Sequence, residues 1–149
     1  MAASRLLTKV VVLGVSAVVC AVAAPHQAVA AAGAPVHIEA LTSFDEGAVN
    51  TFTSTIVGCE SGTVTEGHVQ FGGGRGPYGI FNGDKIFACD SGETFTLHLN
   101  ARFPAGPGSV GSWSLLSASD GLGLTSASGK LVGSGTPDGI LDVYDGTLR

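Results

Sequence analysis

Helical periodicity is missing from this sequence. After Pro25 no apolar pattern of period 3.6 persists for three turns, which excludes a helical bundle as the source of the core. Charge is scarce too, at 13% of residues, and little of it is basic. Two of the seven Lys and Arg residues, Arg5 and Lys9, lie in the first ten positions; beyond residue 30, five basic side chains face twelve acidic ones, a formal charge of −7. Such a surface repels phosphate backbones and argues against nucleic acid as a partner. Phosphate-binding glycine motifs are absent as well. The glycines at 72–76 are followed by neither Lys-Ser/Thr nor a helical pattern, so they read as a loop. No G-x-S-x-G elbow exists beyond the leader, and Gly108-Ser109-Val110-Gly111 has the wrong spacing for one. Cofactor fingerprints are likewise lacking, and no cofactor is expected.

Long hydrophobic runs are limited to one. Val10 to Ala24 carries no charge, follows Arg5 and Lys9, and ends at Pro25. Its fifteen residues fall short of the roughly 20 needed to span a bilayer as a helix, and the charged-then-apolar order is that of an export signal. Ala28 and Ala30 supply the A-x-A pattern of a cleavage site. Residues 1–30 are therefore expected to be a signal peptide and 31–149 a single secreted domain with no stable membrane insertion. Cys20 would leave with the leader. An alanine-rich leader and the absence of any N-x-Ser/Thr site point to a bacterial source.

Cys59 and Cys89 are then the only cysteines left. In an oxidising compartment two cysteines thirty positions apart, with no C-x-x-C, are expected to form a structural disulfide. On the chain-entropy estimate it would stabilise the fold by roughly 3 to 4 kcal/mol.

What the chain does have is short alternating segments punctuated by glycine. In 93–103, Phe95, Leu97, Leu99, Ala101 and Phe103 share one face while His98, Asn100 and Arg102 share the other. Asp90-Ser91-Gly92 and Asn82-Gly83 both have hairpin-turn composition, and Thr136-Pro137-Asp138-Gly139 reads as a further turn. Strands are expected at 36–41, 51–57, 63–71, 78–81, 84–90, 93–103, 111–116, 122–126, 130–133 and 140–144, with mobile stretches at 72–77 and 104–108. Closing such a set into a barrel removes exposed sheet edges.

Gly111-Ser112-Trp113-Ser114-Leu115-Leu116, then Gly129-Lys130-Leu131-Val132-Gly133-Ser134-Gly135, then Asp142-Val143-Tyr144-Asp145-Gly146 resemble the strand motifs of small secreted barrels of the allene oxide cyclase and dirigent type. The resemblance spans about residues 84–146. It departs at Ala118-Ser119-Asp120, where those barrels carry G-T-G, and at Leu122, where an aromatic is usual. It implies an eight-stranded antiparallel barrel, often with a cavity, and transfers no catalytic residue.

Among chemistry-bearing residues, His37 with Glu39 and Glu66 with His68 each share a strand face by the period of two, as a metal pair would; solvent-facing polar alternation is the preferred reading, and no metal site is assigned. Asp142 is the first candidate for a buried acid in an apolar barrel, followed by Glu66, but the preferred reading of Asp142 is an outward, solvated acid or a turn-capping side chain. Trp113 faces either core or pocket. The expectation is thus an all-β, closed barrel of about eight strands with one disulfide, binding a small apolar ligand or serving a structural role. An isomerase or cyclase acting through a buried carboxylate is the alternative. Substrate, oligomeric state and ligand-binding residues stay unassigned.

Overall fold

The computed structural model describes residues 33–73, 79–103 and 108–148; the leader and most of the glycine- and proline-rich stretches at 72–77 and 104–108 lie outside them. Eight strands, β1 (Pro35–Ser43), β2 (Thr51–Ser54), β3 (Ser61–Gly73), β4 (Gly79–Cys89), β5 (Thr94–Phe103), β6 (Ser109–Ala118), β7 (Ala127–Gly135) and β8 (Gly139–Leu148), form one closed antiparallel barrel. Each strand pairs with its sequence neighbours, and β8 closes onto β1 from Ser43↔Gly139 to Pro35↔Thr147. Nearest-neighbour connections suit short turns, which is why so glycine-rich a chain can close a sheet without helical crossovers.

One end of the barrel is packed solid. Phe87 and Phe95 stack at 4.5 Å, Phe52 meets both edge-on at 5.1 and 5.9 Å, and Tyr144 stands edge-on to Phe87 at 5.9 Å. Such edge-to-face contacts match the ring quadrupoles as well as filling volume. Trp113 belongs to this core, 2% exposed, with its indole N–H donating to Lys130 O at 3.1 Å, so its face is packing. The Cys59–Cys89 disulfide ties the β2–β3 connection to the end of β4, and Ser91 Oγ donates to Gly58 O at 2.7 Å beside it. Leu122, in a short 3-10 turn over Asp120–Leu122, is buried against the same end near Gly58.

Two expectations are corrected. Asn82-Gly83 makes no turn: β4 runs straight through it, pairing Asn82 with Gln70 and Asn100. A tight hairpin there needs positive φ, which neither residue has, and ladders on both sides hold the segment extended. Gly83 is instead a close-approach residue, since a Cβ on it would lie 2.9 Å from His68 O. Residues 122–126 form no strand. Leu122 is drawn inward to cover the packed end, and the strand starts only at Ala127. The Asp90-Ser91-Gly92 and 136–139 turns form as expected, with Gly92 at φ 93° and Thr136 N–H donating to Gly139 O at 2.8 Å.

Candidate functional site

The other half of the barrel is hollow. A cavity of about 500 Å³ is lined by Val69, Phe71, Phe81, Leu99, Phe103 and Leu131, among others, with aromatic contacts Phe71–Phe81 and Phe81–Phe103 at its upper wall. Its volume falls within the range of small-molecule sites, roughly 300–1,000 Å³, and an apolar wall with few polar groups is their usual make-up.

Three charged side chains form its floor. Lys85 on β4 and Asp142 on β8 come from opposite walls, four strands apart round an eight-strand ring, and meet at 2.8 Å between Nζ and Oδ2. Both residues are buried, at 4% and 7% exposure. Lys85 Nζ also donates to Thr42 Oγ1 at 3.3 Å and stands 3.4 Å from Glu66 Oε1, its register partner on β3. The Lys85–Asp142 pair is a bar across the lumen, with the aromatic core on one side and the cavity on the other.

Local structure explains how each carboxylate reaches this position. Asp142 sits on the inward parity of β8 with Tyr144 and Leu148, opposite Gly133 on β7. A Cβ on Gly133 would lie 2.5 Å from Asp142 Oδ1, so the glycine leaves the carboxylate its room. The outward reading of Asp142 is therefore corrected. Glu66 precedes a bulge in β3, where the register with β4 shifts between Glu66 and Val69. One extra residue inverts parity. As a result Glu66, Val69 and Phe71 all line the cavity while His68 stays exposed and meets Gln70 at 3.2 Å; the shared face expected for Glu66 and His68 does not exist.

The remaining histidines lie on the outer surface. His37 and Glu39 do share a face, and His37 bridges Asp145 at 2.6 Å and Glu39 at 3.3 Å. Its hydrogen bond to Asp145, followed by that to Glu39, raises its pKa above the ordinary 6.5. His98 pairs with Asp84 at 2.7 Å. Among the described residues no three His, Cys, Asp or Glu side chains are grouped to hold a metal. The Tyr144 hydroxyl lies 3.5 Å from Asp142 Oδ2; burial first, then the Asp142 charge, pushes its pKa well above 10.0.

Lys85 is the residue that sequence reading missed. Lys85, Phe87 and Cys89 share the inward parity of β4, so the period-two rule placed it inside; a lysine's usual preference for solvent masked that. One cation and one anion at core parity on two strands of a closed sheet is the signal that would have found the bar.

Comparison with known proteins finds no matching family model, no matching curated protein and no matching solved structure.

Proposed function

We propose that the protein is a secreted carrier or receptor barrel that takes one small, largely apolar molecule into its open half. The carrying observation is the division of one lumen into a filled end and a hollow end by the Lys85–Asp142 pair. Packing alone does not call for that pair. A buried ion pair is weak evidence for stability, because apolar residues of the same volume do as well or better. Charged groups retained at the floor of an apolar cavity suit orientation of a bound molecule. The disulfide supports export of a chain that opens with a signal-like leader. An eight-stranded barrel with a cavity is also what the resemblance to allene oxide cyclase and dirigent barrels implies, which supports a place beside them.

Thermal unfolding in the presence of a panel of apolar compounds, with native mass spectrometry of the freshly secreted protein, tests this reading. A ligand at 100 times its Kd adds about 2.7 kcal/mol of stability, which raises Tm by about 10 °C at roughly 4 °C per kcal/mol. Ala101→Phe, which fills the cavity from its wall, abolishes the shift. A broad panel that moves nothing, together with no co-purifying molecule, refutes it.

One observation favours a second reading. Asp142 does line the cavity, with the Tyr144 hydroxyl behind it, as an isomerase or cyclase working by proton transfer on a hydrophobic substrate requires. Asp142→Asn would then abolish a turnover that the folded wild type performs. Its engagement by Lys85 makes it an anchor before it is a base, and the carrier reading stands first.

A further inference from the structure

The floor of the cavity carries two carboxylates and one ammonium. Glu66 and Asp142 against Lys85 leave a formal charge of −1 at the closed end of an apolar chamber. The single cation is already paired with both carboxylates. Lys85 Nζ donates to Asp142 Oδ2 at 2.8 Å and to Thr42 Oγ1 at 3.3 Å, and it lies 3.4 Å from Glu66 Oε1 in an ion pair. An incoming carboxylate would have to share an ammonium already engaged by Asp142 and Glu66, and would bring a third negative charge into a low-dielectric space. An incoming donor meets the opposite situation. The Glu66 side chain lines the cavity and is 45% accessible, whereas the other two charged side chains are almost enclosed. The accessible partner at the floor is thus an acceptor.

The same sign continues outside. Two described connections stand at the hollow end: 44–50, between β1 and β2, carries exposed Asp45 and Glu46, and 136–138, between β7 and β8, carries exposed Asp138. They touch through the Phe44 N–H, which donates to Asp138 O at 3.2 Å, and neither contains Lys or Arg; the exposed Arg102, near the end of β5, is outnumbered by these three acids. Like charges beside an opening raise the local concentration of the opposite ion.

Resting on the carrier reading, we infer that the ligand is a cationic amphiphile: an apolar body that fills the space between Phe71, Phe81, Phe103 and Leu131, ending in an ammonium whose N–H groups bond to Glu66 at the floor. Fatty acids and other anionic amphiphiles are selected against. The ammonium neutralises the surplus charge and makes charge-assisted hydrogen bonds, about twice as strong as neutral ones.

A matched ligand series tests this on the intact secreted protein. Decylamine and decanoate below their micelle concentrations, and decanol below its solubility limit, are titrated at neutral pH and moderate ionic strength by calorimetry and by thermal shift. The expected result is that decylamine binds about tenfold or more tighter than decanoate, with decanol between them. Glu66→Gln brings the floor to a formal charge of zero and reduces the amine-to-carboxylate ratio by about tenfold, with a circular dichroism spectrum like that of the wild type. Glu66→Ala serves in its place if the glutamine variant misfolds. Decanoate binding as well as or better than decylamine overturns the head-group assignment while leaving the carrier reading intact. So does a ratio unchanged by loss of the Glu66 carboxylate. Failure of all three ligands, decanol included, overturns both.

Discussion

Replacing Lys85 by methionine keeps most of the side-chain volume and removes the charge that Asp142 faces across the lumen. Asp142 is 7% exposed and its Oδ2 lies 2.8 Å from Nζ, so the variant leaves a carboxylate inside the barrel without its cation. Breaking a buried pair from one side costs about 3 to 5 kcal/mol. Glu66 loses its partner too, but its side chain is 45% accessible and water replaces the lysine at little cost. With a urea m value of about 1.5 kcal/mol/M for a domain of this size, the unfolding midpoint should fall by about 2 to 3 M. The sole tryptophan, Trp113, is buried in the aromatic core and reports the transition by fluorescence. The double replacement Lys85→Met with Asp142→Leu removes both charges together and should return to within about 1 kcal/mol of the wild type, or exceed it. A loss below about 1 kcal/mol in the single variant would show that water reaches Asp142 freely. The bar would then not separate a dry core from a cavity, and the division of the lumen on which the carrier reading rests would fail.

Reduction of the Cys59–Cys89 disulfide, thirty positions in span, should cost roughly 3 to 4 kcal/mol; equal urea midpoints with and without reductant would contradict this. Phe87→Ala, in the packed end, should cost about 3 to 5 kcal/mol, and Phe81→Ala, half-buried at the cavity wall, distinctly less; equal losses would mean the two ends are equally filled. Because Asp145 and Glu39 raise the folded pKa of His37, its contribution to stability is fully present below about 6.5, the unfolded value, and is lost as pH rises through the higher folded value. His37→Gln should flatten that part of the pH–stability curve, and a His37 ring resonance titrating at or below 6.5 in the folded protein counts against the contact. Tyr144 gives the complementary sign: burial holds its phenol protonated in the native barrel, so stability falls above about pH 10, where the unfolded chain ionises. In an alkaline absorbance titration one of the two tyrosines should ionise only with unfolding.

The sequence carried the barrel plainly wherever alternation was pure. Phe95, Leu97, Leu99 and Ala101 were assigned to one face and all four are buried, because a closed sheet buries one parity of each strand along its length. The disulfide was legible from two cysteines with no competing motif. Misreadings arose where a local signal competed with the closed sheet. Asn82-Gly83 has the side chains of a tight turn, yet ladders to β3 and β5 on either flank outweigh a two-residue preference. The bulge after Glu66 left its trace only in Gly67, and without it the parity of Glu66 relative to His68 cannot be read. The site was half legible. Asp142 shares a strand face with Ile140 and Tyr144, yet an acid there is expected outside, and Lys85 is expected at the surface even though its neighbours at i+2 and i+4 are a phenylalanine and a half-cystine.

The two ends of the lumen do opposite work, and the charges at their boundary explain how one small chain supports both. The disulfide, Leu122 and five aromatic rings concentrate cohesion at one end, so the strands at the other can stand apart round open space without unfolding the barrel. An apolar floor would let a hydrophobic ligand settle in any orientation. A floor made of Lys85 held by Asp142, with Glu66 left accessible, gives the chamber direction: the packed end supplies stability, the pair fixes the floor, and on the proposed reading the one accessible carboxylate would set which end of a ligand points inward. Moving the surplus charge, rather than reshaping the wall, is then the economical route to a different ligand. Glu66→Lys should turn selectivity from amine to carboxylate while leaving decanol affinity within a few-fold, measured in the same titrations. A change that instead lowered all three affinities alike would place Glu66 in the architecture of the barrel and not in recognition.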